Sequence, residues 1–396
     1  MTEPDEQFRN TENLEEPLVT YENFVDLTLS VMNRNWLPAY EYTQPNPVRY
    51  PWMWLWDSCF HAIIYASIGD ERALLEARAA FYWQTEDGMV PHMGYQADKE
   101  FGRTSWHSNG ASTMTQPPMY GHALRVLDER GFDVAPLVEK ATDGIGFLLR
   151  QRRLKSGLIG IVHPWESGMD DSPRWDPWCV NGTGSPQWPS LKDKLVNSLE
   201  VNSRGSAVGN PGFCVAPASF NALVAFNALE LAAVTNDDAL RSEALAITEV
   251  LDTHFDDELG TWSDTQRDGS VSSSIRTLDA LLPALVSPSV DRVRRSLELV
   301  NDVVAFRSRY GPCGVDKREA SFDPDVYWRG AAWPHLTYLL YVAANRSGNE
   351  EIRDSLAQSA IVAATRSDFA EHFNPMSGAG RGAKPQSWSC LPVVMF

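Results

Sequence analysis

A helical period that recurs along nearly the whole chain, with no strand rhythm between its copies, constrains this sequence most. In "PLVEKATDGIGFLL", Leu137, Ala141, Ile145 and Leu148 fall on one helical face. "DDALRSEALAITEVL" repeats the pattern with Leu240, Ala244, Ile247 and Leu251, and "SVDRVRRSLELV" with Val290, Val293, Leu297 and Val300. The period predicts helices over 21–34, 57–67, 71–84, 115–130, 134–151, 212–233, 237–255, 274–286, 289–304, 332–346 and 349–367, and a short one closing the chain at 387–396. No repeat of fixed length accompanies them, which disfavours a solenoid. No strand–helix alternation is present, which argues against a parallel α/β sheet. The expected class is therefore all-α. Paired helices in this number can close into an (α/α)6 barrel, and the pattern alone equally permits an open helical array.

A chain of 396 residues with 43% hydrophobic content can bury a large core. The expected division is a flexible acidic N-terminus over 1–20 and a single catalytic domain over 21–396. "MTEPDEQFRNTENLEEP" lacks the basic start and apolar core of a signal peptide, so a cytoplasmic location is expected. The longest apolar runs look too short to span a bilayer. Five scattered cysteines fit a reducing compartment, and no CxxC pair suggests a metal site. GxGxxG, P-loop and calcium-loop patterns are absent, so no cofactor is expected. A formal net charge of −18 repels nucleic acid and anionic membrane. The expected partner is a small molecule, with homo-oligomerisation left open. Only seven of the 34 basic residues are Lys, a composition compatible with a salt-rich cytoplasm.

Between the helices lie long stretches rich in Trp, Pro, Gly and Asn: 152–211, with shorter versions at 35–56 and 306–331. Long ordered loops in a compact domain usually carry function. Ten of the 14 Trp fall there or at helix edges: Trp36, Trp52, Trp54, Trp56, Trp106, Trp165, Trp175, Trp178, Trp188 and Trp328. Trp gathered in loops beside acids and amides suits a sugar, whose ring has apolar faces and polar edges. The plainer reading is that these rings pin the loops to the helices.

The densest of these loops is "HPWESGMDDSPRWD", His163 to Asp176. Cleaving a glycosidic bond takes one protonated carboxyl to release the leaving oxygen and one ionised carboxyl across the ring. The first needs a dry or negatively charged setting to keep its proton. Glu166, Asp170, Asp171 and Asp176 compete for that role. Gly168 permits a sharp turn, Pro173 stiffens the residues after the acids, and Trp165 and Trp175 can exclude water. The competing account is a loop of Asx-turns with salt bridges to Arg174. The second acid should be distant in sequence, and "DFAEHFNPMSGAGRGAKPQSW" offers Glu371 at a helix end ahead of a Gly-rich segment.

"YPWMWLWDSCFHAIIYASIGD", "TQPP", "HPWESGMDDSPRWD", "YWRGAAWPHLTYLLY" and the late "FAEHFNP", with its following Gly and "QSW", occur in this order. Together they resemble glycoside hydrolase family 63, in particular its small bacterial and archaeal members, which are similar to hydrolases of glucosylglycerate and mannosylglycerate. The resemblance covers roughly 21–396. Trehalases of a related family share the Glu-Ser-Gly-x-Asp pattern. The resemblance implies an (α/α)6 barrel and an inverting mechanism, with Asp170 as general acid, Glu371 as general base and a carboxyl separation of roughly 6.5–9.5 Å. It implies sugar contacts from Asp57 beside Tyr50 and Trp56, and further pocket walls from Gln116, Trp165 and Trp333. It places Arg204, Tyr327 and Gln386 where glycerate-cleaving members hold glycerate, and an Arg fork suits a carboxylate.

Two departures stand out. Asn210 occupies a position where glycerate-cleaving relatives offer a Tyr, which weakens the glycerate reading. Pro392 should interrupt the last helix, whose apolar residues should still pack inward. His163 reads as structural, His92 as pocket wall or core, and His61 and His335 as satisfied core histidines. The expected activity is that of an inverting hydrolase of a small α-linked glycoside such as glucosylglycerate or mannosylglycerate. The alternatives are a trehalase-like hydrolase of a neutral oligosaccharide, an epimerase on the same scaffold using His bases, and a non-catalytic carbohydrate-binding protein.

Overall fold

The computed structural model describes residues 19–106, 108, 110–179 and 181–396; most of the flexible segment expected over 1–20 lies outside them. Twelve α-helices occur among the described residues: α1 (Tyr21–Asn35), α2 (Leu55–Ser67), α3 (Arg72–Ala80), α4 (Lys99–Trp106), α5 (Tyr120–Glu129), α6 (Ala135–Gln151), α7 (Gln187–Asn197), α8 (Ala218–Thr235), α9 (Asp238–Asp252), α10 (Val290–Val300), α11 (Pro334–Arg346) and α12 (Glu350–Arg366). Their starts follow local chemistry. Thr20, Asp237, Ser289 and Asn349 each accept a backbone N–H of the first turn of α1, α9, α10 and α12.

Two kinds of helix are present. In α9 only the stripe Leu240, Ala244, Ile247, Thr248 and Leu251 is buried, and α10 buries Val293, Ser296, Leu297 and Val300. By contrast, α2 is buried from Leu55 to Ala66 and α8 from Ala218 to Ala228. A helix apolar all round must sit inside. Accordingly α2 packs on α5, α5 on α8, α8 on the 3-10 segment Leu278–Leu285, that segment on α11, α11 on the 3-10 segment Ser387–Val394, and that segment back on α2. The striped helices lie against these: α3 on α2, α6 and α9 on α8, α10 on Leu278–Leu285, α12 on α11, and α1 on Ser387–Val394. One apolar cluster runs through the whole arrangement, from Phe24 to Met395.

Several expectations need correction. The segments near 274–286 and 387–396 form 3-10 turns, because Pro283 and Pro392 inside them lack the N–H an α-helix needs. The residues around Pro392 still point inward, from Ser387 to Val393. Two helices were not foreseen. α4 buries only Gly102, so it has no apolar stripe to read, and α7 hides in the Trp- and Pro-rich loop with Trp188 and Leu195 inward. Small antiparallel sheets qualify the all-α expectation, the largest joining Val215–Ala216, Asp264–Gln266 and Val271–Ser273. Finally, α8 is long and apolar enough to cross a membrane by length and composition, contrary to the reading of the apolar runs, and most of it is buried in the core.

Candidate active site

At one end of the inner segments lies a cavity of about 110 Å³. Its walls include Tyr50, Trp54, Trp56, Asp57, Gln116, Asp170, Tyr327, Trp328, Glu371, Gln386 and Trp388. They come from the first turn of α2, from the loop between α6 and α7 that carries Asp170, and from segments leading into α2, α5, α11 and the last 3-10 segment.

The loop carrying Asp170 is built tightly. The His163 Nδ1 accepts the Trp165 N–H at 3.1 Å, which starts the 3-10 turn Pro164–Ser167. That acceptor role makes Nε2 the donor to the Lys192 carbonyl, at 3.1 Å. His163 is thus structural, and burial holds it neutral, at about 3. Gly168 ends the turn in the left-handed region at φ 78°, and a Cβ there would meet the Trp56 ring at 2.4 Å. Only Gly fits both conditions. Trp175 then donates its indole N–H to the Met169 carbonyl at 2.8 Å, fixing the residue before the acid.

The four competing acids separate cleanly. Glu166 is fully buried, makes two 2.8 Å bonds with the Arg152 guanidinium, and accepts the Thr115 and Val162 N–H groups. Asp171 pairs with the Lys192 ammonium at 2.6 Å and accepts the Trp188 indole N–H at 2.7 Å. Asp176 pairs with Arg329 and accepts the Thr183 N–H. Arg174, which the competing account paired with the acids of this loop, instead pairs with Asp264 and Asp279. Of the four acids, Asp170 is the one that lines the cavity. Burial raises its carboxyl to about 7; Lys192 pulls it down, while Asp171 and Glu371 push it up.

Glu371 is held differently. It lies beyond the end of α12, after a turn in which Asp368 and Phe369 have φ of 59° and 50°, and just before the strand His372–Phe373. One carboxylate oxygen accepts the Tyr50 hydroxyl at 2.9 Å and the Tyr327 hydroxyl at 3.1 Å. The other accepts the Ala383 N–H at 2.8 Å. A Cβ on Gly382 would sit 2.2 Å from that second oxygen, so the Gly-rich segment closes on the carboxylate because this residue has no side chain. Burial and the Glu371 charge raise both phenols, which therefore remain donors. Asp57, buried beside them, is raised well above the ordinary carboxylate range by the same two causes. Trp54 Nε1, Trp328 Nε1 and Gln386 Oε1 are buried without a hydrogen-bond partner among the described residues, on side chains that line the cavity.

Tyr50, Trp56, Asp57, Gln116, Asp170, Tyr327, Glu371 and Gln386 thus share one wall set, and three expected residues do not join it. Trp333 is fully buried behind Trp328, stacked on it with ring centroids 3.7 Å apart. Trp165 packs between His163, His92 and the Lys192 ammonium. Arg204 lies elsewhere: its exposed guanidinium pairs with Glu86 at 2.8 Å and lines a separate cavity with Trp83 and Trp106. Asn210 is buried and internal, donating to the Val162 and Leu195 carbonyls, both at 2.9 Å. His92 belongs to the core, bonded to Ser112, and His61 is satisfied between Glu76 and Ser387. His335 departs from expectation, since neither ring nitrogen has a partner among the described residues. Trp54, Trp328 and Trp388 are wall residues that the motif reading did not assign. The first two were visible among the loop Trp, and the third sits in "QSW".

A carboxyl that keeps its proton near neutrality and an acceptor-only carboxylate, lining one aromatic-walled cavity, are the equipment of a glycoside hydrolase. Comparison with known proteins agrees. Residues 50–389 match the family described as the mannosylglycerate hydrolase MGH1-like glycoside hydrolase domain, and the chain belongs to that family. It is 28% identical to a mannosylglycerate hydrolase of Thermus thermophilus, over 93% of this chain and 99% of that protein. It is 27% identical to the glucosylglycerate hydrolase of Mycolicibacterium hassiacum, over 89% and 93%. Its fold is like that of a GH63 mannosylglycerate hydrolase from a second strain of Thermus thermophilus, solved with Tris and D-glycerate, at TM-score 0.80, 24% identity, and 94% and 99% coverage.

Proposed function

We propose that this glycoside hydrolase is an inverting enzyme on an (α/α)6 barrel that cleaves a small α-glycosylglycerate, mannosylglycerate or glucosylglycerate, with Asp170 as general acid and Glu371 as general base. The barrel reading is supported by the cyclic order in which the six inner segments pack, with the striped helices lying against the outside of that ring. The observation that carries the chemistry is Asp170, the one acid of its loop on the cavity, with burial raising it to about 7. In this reading the sugar sits against Trp56, Asp57 and Gln116, and its hydroxyls meet the free edges of Trp54, Trp328 and Gln386. Asp170 gives its proton to the glycosidic oxygen. Glu371 takes a proton from water on the opposite face of the ring, while Tyr50, Tyr327 and the Ala383 N–H hold its carboxylate in place. An epimerase would need a His base, and none is among the residues lining this cavity.

The placement of Arg204 away from the cavity favours one competing substrate, a neutral α-glycoside. Both readings are tested by offering mannosylglycerate, glucosylglycerate and the corresponding glycosylglycerols and following the released sugar by proton NMR. The expected result is preferred cleavage of a glycosylglycerate with the β-anomer appearing first. An α-anomer as first product would mean retention, and preference for the neutral compound would mean that glycerate is the wrong leaving group.

A further inference from the structure

A glycosylglycerate places a carboxylate close to the bond that breaks. When the sugar is carried on O2 of glycerate, the carboxylate carbon is bonded to the same carbon that carries the glycosidic oxygen. The oxygen must reach Asp170 for protonation, so the cation holding the carboxylate has to stand on the Asp170 side of the cavity. Arg204 pairs with Glu86 away from it. Arg49 stands over Tyr50, 5.8 Å from its ring centre, among the groups that hold Glu371, and that is the side from which water attacks.

Lys192 stands on that side, paired with Asp171 next to Asp170, and outside the set of residues that line the cavity itself. It projects from α7 with its ammonium 5.8 Å from the Trp165 ring centre and 5.7 Å from that of Trp188. Its Nζ lies 2.6 Å from Asp171 Oδ1, on the residue next to the acid. The side chain is 12% exposed, so it is held firmly and still reachable. An ammonium has three donors, and Asp171 is the acceptor that Lys192 meets among the described residues. The Asp171 oxygen involved already takes the Trp188 indole N–H. α7 is in turn fixed against the acid's loop. Asn210 bridges the Leu195 carbonyl near the end of α7 to the Val162 carbonyl just ahead of that loop. The residue that replaces the expected Tyr thus anchors the helix that carries Lys192.

We propose that Lys192 is the specificity-determining cation of this enzyme, receiving the carboxylate of the departing glycerate while Asp171 holds the ammonium in position between Trp165 and Trp188. The assignment rests on the glycosylglycerate reading above. A compact ammonium binds a carboxylate as a point charge, without the paired geometry of an Arg fork.

The test compares kcat/KM for a glycosylglycerate and the matching glycosylglycerol, at a pH where Asp170 is protonated in every protein, together with inhibition by free D-glycerate. Lys192→Met should lower the anionic-to-neutral ratio by at least about tenfold, chiefly through KM, and weaken D-glycerate inhibition in parallel. Lys192→Arg should recover much of the ratio. Asp171→Asn should move it the other way, since the competing carboxylate is gone. Equal damage to both substrates by Lys192→Met, or an unchanged glycerate inhibition constant, would overturn the assignment while leaving the glycosylglycerate reading intact. A wild-type enzyme that prefers the neutral glycoside and ignores D-glycerate would overturn both.

Discussion

Asp170 and Asp171 are neighbours with opposite surroundings. Asp170 opens on the cavity, and burial holds its proton to about 7. Asp171 is neutralised by Lys192 and carries a Trp188 hydrogen bond. For a general acid the protonated form is the active one, so kcat/KM should fall as pH rises through about 7. Removing the Asp171 charge removes one cause of the upward shift. In Asp171→Asn the falling limb should therefore move to lower pH, with activity below it largely kept. Asp170→Asn should lose about 10²–10⁴ in rate, as expected for a missing general acid. A pH–rate profile of the three proteins checks this, and an unmoved limb in Asp171→Asn would show that another group sets it. That Asp170 and not its neighbours lines the cavity is implied by the family resemblance, whereas the loop's own residues leave four acids in competition. The position of Arg204 could not be read from the sequence. The Glu86 that captures it is 118 residues away in sequence, a contact that no local pattern announces.

The acid's loop works as a single element. Glu166 and Arg152 tie it underneath, Gly168 lets it turn under Trp56, and Trp175 clamps Met169 from the far side. Gly168→Ala should therefore do two kinds of harm. The left-handed backbone strains any Cβ, and this Cβ would also enter the Trp56 ring. A loss of about 1–3 kcal/mol in stability is expected, with a larger proportional loss of kcat because the ring it displaces lines the candidate active-site cavity. Gly131→Ala separates the two effects, since Gly131 has φ 84° with nothing within 4 Å of its Cβ. It should show the backbone strain alone and full activity. Equal melting shifts and equal kcat in the two variants would count against the steric account. Elements of this kind were legible where an apolar stripe or a cap marked them, as in α9 and α10. α4 and α7 were missed because one exposes nearly every side chain and the other buries two of eleven residues. The 3-10 segments were misread because their prolines leave an apolar, helix-like spacing intact while removing the N–H that would make it α.

At the scale of the whole molecule, the charge balance works against the proposed substrate. The formal net charge is −18, and a glycosylglycerate is an anion. Cations close to the cavity include Lys192, paired with Asp171 beside Asp170, and Arg49, over the Tyr50 ring beside Glu371. Long-range repulsion between protein and substrate is screened by salt over about 10 Å at 0.1 M, whereas the close Lys192 contact, largely shielded from solvent, is screened much less. The two ranges predict an unusual salt response. Raising ionic strength from about 0.01 to 0.15 M should increase kcat/KM for a glycosylglycerate, by roughly two- to threefold, because the diffuse repulsion fades first. The neutral glycosylglycerol should show no such rise. In Lys192→Met the rise should persist on a lower baseline, since the repulsion remains and only the local attraction is lost. Initial rates across a sodium chloride series, for both substrates and both proteins, decide it. A fall of kcat/KM with salt for the anionic substrate would mean that attraction from a broader cationic surface dominates. The binding of glycerate would then have to be sought in that surface, beyond a single lysine.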